Sequence, residues 1–190
     1  TTDCTDPRMR DGSINPAATR LGQAETEPII AKGSDWKYHD TGTRFDRVDW
    51  TALDYNDNNW KSGKAELGYG DGDEVTAVDR GSEPSSKYHT TIYFRKEFQM
   101  GESHEKSLFI KLLRDDGAVV YLNGEELFRS NMRSGTVRYS NYTSKRNSTK
   151  DSRIFFPYYV EIPKFINGRN VFAVEVHRGS RSDKDLSFDF

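Results

Sequence analysis

From Ile29 onward, hydrophobic and polar residues alternate with a period of two, the spacing of strands rather than helices. The run TTIYFRKEF, Thr90 to Phe98, is β-branched and aromatic almost throughout. In SLFIKLLR the same period sets Leu108, Ile110 and Leu112 on one face. In NVFAVEVH it sets Phe172, Val174 and Val176 on one face and Val171, Ala173 and Glu175 on the other. AVVYLN, EELFR, IFFPYYVEI and the terminal SFDF read as further strands, and IIAKGSDWKY as a first strand interrupted by glycine. Asp115-Asp116-Gly117 and Asn123-Gly124 fall between strand-like runs, and Asp-Gly and Asn-Gly are favoured in tight hairpins. Residues 107–129 therefore read as a β-meander. Helical periodicity is confined to short pieces at Asp49 to Leu53 and Asp57 to Trp60. The expected class is all-β, an antiparallel β-sandwich with short helical turns.

Composition sharpens this in one respect. The chain of 190 residues is 34% apolar but 13% aromatic, and broad rings suit the space between two sheets. Residues Thr1 to Pro28 have no apolar period and read as a linker or extended arm, leaving a sandwich over 29–190. A net charge of −2 gives no electrostatic reason to expect nucleic acid or an anionic membrane as partner. No apolar stretch approaches the length of a membrane span. Cys4 is the single cysteine, which excludes a disulfide or a cysteine-built zinc site within this chain. The sequons Asn141-Tyr-Thr and Asn147-Ser-Thr would be used on a secretory route.

Candidate chemistry is sparse. Asp115 and Asp116 are neighbours, and neighbours on a strand point to opposite faces and cannot flank one bond. Capping of backbone amides, with one of the two touching a cation, is the expected role. GYGDGDEVTAVDRG, Gly68 to Gly81, spaces the hard donors Asp71, Asp73 and Asp79 with glycines, as a calcium loop or a solvated acidic loop would. It is not an EF-hand, because counting from Asp71 the sixth residue is Thr76 and the twelfth Ser82. His39, His89, His104 and His177 lack paired metal spacing, and His177 ends a strand where a sandwich presents its loops. No nucleophile elbow or phosphate loop is present, so no enzyme activity is expected. Trp36, Trp50 and Trp60 read as core, although such rings also stack on sugars. The polar stretch Ser130 to Arg153 carries six Lys and Arg, either a patch for an anionic glycan or a solvated loop.

The succession DYNDNNWKSGKAELGYGDGD, TTIYFRKEF, LLRDDGAVVYLNGEELFRSNM and INGRNVFAVEVHRGSRSDKDLSFDF, spanning Ile29 to Phe190, resembles the galactose-binding-domain-like β-sandwich modules of secreted multidomain proteins. The resemblance implies a jelly roll, often with a structural calcium, that binds carbohydrate or docks a neighbouring domain. It implies an extracellular setting and brings Asp183, Asp185 and Asp189 in as further calcium candidates beside Asp71, Asp73 and Asp79. A free rim of loops carrying Tyr69, Asp71, Arg129 and His177 is the expected sugar site. The alternative is a structural interaction or assembly domain with no small ligand.

Overall fold

A computed structural model describes residues 27–145, 153–162 and 165–190. Its strands are β1 (Asp35–His39), β2 (Lys61–Lys64), β3 (Leu67–Tyr69), β4 (Thr76–Ala77), β5 (Thr91–Met100), β6 (Ser107–Asp115), β7 (Gly117–Leu122), β8 (Glu125–Ser130), β9 (Phe155–Glu161), β10 (Gly168–His177) and β11 (Leu186–Asp189). They form a six-stranded sheet in the order β2-β1-β5-β10-β7-β8 and a five-stranded sheet in the order β4-β3-β11-β6-β9. All pairings are antiparallel except β3 with β4. The protein is a β-sandwich.

The expected alternation holds where it was read. Phe172, Val174 and Val176 of β10 face Ile110 and Leu112 of β6 across a core that also buries Trp36, Phe94, Leu186 and Phe188. Trp36 packs edge-on to Phe188 at 4.9 Å, and Phe94 stacks on Phe188 at 4.2 Å, so terminal β11 is held by aromatic contacts.

Four expectations change. The first strand begins at Asp35, and residues 29–34 form turns alongside the sheet. The two helix candidates are isolated hydrogen-bonded turns, with Ala52 N–H donating to Asp49 O and Trp60 N–H to Asp57 O. Strands β2, β3 and β4 fall where no strand was expected, being two to four residues long with little apolar alternation. The meander is only half present. Asn123 and Gly124 form the β7–β8 hairpin with φ of 51° and 92°, the left-handed geometry such a turn needs. Asp115-Asp116 instead carries the chain from one sheet to the other, because β6 pairs with β11 and β9 whereas β7 pairs with β10 and β8.

A second aromatic cluster lies on the outer face of the six-stranded sheet. There Ala173 and Tyr93 are covered by Trp50, Trp60 and Tyr139, with Phe45, Tyr55 and Tyr121 packed around them. The covering segment is fastened by Arg95, which lies fully buried, bonds Asp57 Oδ2 at 2.9 Å and donates to the carbonyls of Trp50 and Ala52. All three tryptophans are buried, as expected, but only Trp36 lies between the sheets.

Candidate functional site

The four residues expected on one sugar-binding rim do not meet. Tyr69 lies on the inner face of β3, buried edge-on against Tyr88, and burial pushes its phenol above the usual range. Asp71 sits just beyond β3, where its carboxylate accepts the Ser187 hydroxyl at 3.3 Å. His177 is on the outer face of the six-stranded sheet with no exposed surface. Its Nε2 is 3.1 Å from Glu175 Oε2, and its Nδ1 lies 3.0 Å from Thr91 Oγ1 and 2.9 Å from Asn141 O. Arg129 of β8 is engaged by the Glu126 carboxylate and by Arg133 O. The alternation that gave each strand its faces could not say that these residues belong to three different surfaces.

Nor do the six aspartates proposed for calcium form one set. Asp73 pairs with Arg153 at 2.9 Å. Asp79 turns back to accept the Gly81 N–H at 2.8 Å. Asp189 accepts the Gly33 N–H through both oxygens, and burial raises its pKa despite those bonds. Asp71 and Asp185 do approach each other, beside Asp115 and Asp116 at the inter-sheet corner. Asp116 Oδ2 accepts the Gly179 N–H at 2.5 Å, and a Cβ on Gly179 would lie 2.6 Å from that oxygen and 2.9 Å from Asp183 Oδ2. Asp115 is buried there, and desolvation, reinforced by the charges of Asp116, Asp185 and Asp71 and a hydrogen bond to Asp116, pushes its pKa up to about 8. The two neighbouring carboxyl groups thus touch, contrary to the alternation expected of a strand, because the chain leaves one sheet between them. Among the described residues no three His, Cys, Asp or Glu are grouped so as to hold a metal ion.

The accessible feature is elsewhere, on the five-stranded sheet. With Ile110 and Leu112 turned into the core, Phe109 and Lys111 of β6 point outward, and the register places Phe109 opposite Tyr159 and Lys111 opposite Pro157. The two rings lie 4.7 Å apart at 33°, with Phe109 49% and Tyr159 83% exposed. Strand β11 pairs with β6 only at Leu113–Asp115, so among the described residues the Ser107–Leu112 edge on that side has no strand partner. Beside that edge opens a groove of about 920 Å³, walled by Ile29, Ile30, Met100, Phe155 and Phe190. Its polar groups are Lys32 and Lys111, whose ammoniums sit 4.7 Å over Phe155 and 5.8 Å over Phe109, together with Glu27, Glu105 and Ser107. Apolar ring faces with dispersed donors and acceptors match a ligand that is apolar on one face and hydroxylated at its edge. The sequence carried a signal for this site: the period that sends Leu108, Ile110 and Leu112 inward leaves an aromatic ring on the face that alternation reserves for polar residues.

No protein family and no curated protein matches the chain. Solved structures similar to it include a β-glucuronidase from glycoside hydrolase family 2, with 18% identity and a TM-score of 0.45 over 80% of this chain and 15% of that one. A β-glycosidase from Bacteroides vulgatus is 15% identical with a TM-score of 0.47, over 83% of this chain and 19% of that chain. Bacteroides uniformis β-glucuronidase 2 is 13% identical with a TM-score of 0.49, over 83% and 17%. The chain therefore spans less than a fifth of the length of each of these three proteins.

Proposed function

We propose that the chain is a non-catalytic carbohydrate-binding module of the galactose-binding-like jelly-roll kind, working within a larger secreted protein. The observation that carries this is the exposed Phe109–Tyr159 pair on the outer face of the five-stranded sheet, of which Phe109 also lines the β6 groove. A ring as bare as Tyr159 contributes little to the fold, while its face suits the CH-rich side of a pyranose. The absence of a catalytic role in this proposal is supported by the Asp115–Asp116 pair, which lies buried at the corner where no glycosidic bond could pass between the carboxyls. An extracellular setting is supported by the exposure of Asn141, the first residue of a sequon; Asn147 lies outside the described residues.

Binding at so open a site is expected to be weak, with Kd of about 10 μM to 1 mM, or roughly 4 to 7 kcal/mol. Titration of the protein with neutral and acidic oligosaccharides, followed through the Phe109 and Tyr159 ring signals, tests it; no shift at millimolar sugar refutes it. A second function, docking of an extended segment from a neighbouring domain, is favoured by the Ser107–Leu112 edge of β6, which has no strand partner among the described residues and whose backbone groups can accept an added strand. It takes precedence if no sugar binds.

A further inference from the structure

The outward face of β6 and β9 is ordered by charge as well as by apolarity. Successive outward pairs along the two strands are Ser107 with Glu161, Phe109 with Tyr159, Lys111 with Pro157, and Leu113 with Phe155. Lys32 lies over the ring of Phe155 at 4.7 Å. The face therefore runs from an acidic end at Glu161 and nearby Glu105, through the bare ring pair, to an end held by two ammoniums. Lys32 and Lys111 are exposed, and each lies over an aromatic face, with the Asp189 carboxylate near enough to Lys32 to feel its charge. At ~3.4 Å per residue, the four steps from Phe109 to Leu113 cover about 14 Å, roughly the length of a di- or trisaccharide.

Resting on the carbohydrate proposal above, we infer that the ligand is an anionic oligosaccharide. One sugar ring lies on Phe109 and Tyr159, and the carboxylate or sulfate of an adjoining residue sits between Lys32 and Lys111. The cations select because an ammonium over an aromatic face keeps its charge and spare N–H donors available to a second partner. The acidic end, with Glu161 and Glu105, disfavours the reversed orientation and fixes the direction of the chain. Glu27 also lines the groove, so the anion is accepted at the lysine end rather than throughout.

The test is calorimetric titration of the whole chain with three oligosaccharides of one backbone: neutral, uronate-bearing and sulfated. The anionic members should bind about tenfold more tightly than the neutral one at low salt, as two partly exposed ion pairs allow. That preference should shrink as ionic strength rises to about 0.5 M. The double variant Lys32→Gln/Lys111→Gln should abolish the preference, so that the neutral and anionic sugars bind with one affinity, while leaving the melting temperature unchanged. Tyr159→Ala should weaken all three ligands equally. Comparing the uronate and sulfate arms identifies which anion is accepted. Equal binding of neutral and anionic sugars by the unmodified chain, or a preference that survives the double variant, overturns the inference and leaves the carbohydrate proposal standing. No binding of any sugar, or binding only of an acidic peptide, overturns both.

Discussion

The outer faces of the two sheets carry similar residues and meet opposite fates. On the six-stranded sheet, Tyr93 and Tyr121 point away from the core, and the segment with Phe45, Trp50, Tyr55 and Trp60 closes over them. On the five-stranded sheet, Phe109 and Tyr159 point away from the core and remain bare. An outward aromatic ring is therefore not in itself a site. It is structural where another segment covers it and anchors itself by a buried ion pair, as Arg95 and Asp57 do. It is available for binding where no described segment covers it.

The largest effect expected from this contrast comes from the covered face. Asp57→Ala would strip Arg95 of its buried carboxylate, and also Lys37, which contacts the other oxygen at 2.5 Å. Leaving that guanidinium uncompensated should cost about 3–5 kcal/mol in a denaturant titration. A loss below about 1 kcal/mol would mean that the aromatic lid does not depend on this anchor.

At the inter-sheet corner the expected effect depends on pH. Asp115 keeps its proton in the fold up to about pH 8, whereas an unfolded aspartate releases it near pH ~4. The folded state thus binds the proton more tightly, and the resulting stability is present below pH ~4 and lost as pH rises from there through about 8. Asp115→Asn, which cannot ionise, should flatten this slope and melt several degrees above the unmodified chain at pH 8.5. Parallel pH profiles for the two proteins would contradict the assignment.

A smaller effect is expected at the β7–β8 hairpin. Gly124 has a φ of 92°, which a β-branched residue resists, so Gly124→Val should cost about 1–2 kcal/mol. An unchanged melting temperature would show that the turn relaxes without loss.

Much of the fold was legible because strands such as β6 and β10 carry apolar residues at every second position, and the faces read for these two are those observed. Strand β2, with the sequence KSGK, and the two-residue β4 have no such alternation, since neighbouring strands hold them by backbone pairing. Sheet membership was not legible either. The period of two reports a residue's face but not its sheet, so Asp115-Asp116 read as a hairpin although it crosses between sheets. The candidate site was missed for the same reason. Tyr69, Asp71, Arg129 and His177 have suitable chemistry but do not share one surface, whereas what exposes Tyr159 is that no described segment covers it, a fact of tertiary structure.

The smallest effect on stability should accompany the largest effect on binding, and this pairing tests the central claim most directly. Tyr159→Ala should shift the folding free energy by no more than about 0.5 kcal/mol, as for other exposed side chains. In the same preparation it should remove most oligosaccharide binding seen by titration of the unmodified chain. A variant that folds normally and has lost the sugar is the result predicted here. A variant that binds as well as the unmodified chain would contradict the assignment of the bare aromatic face as the binding site.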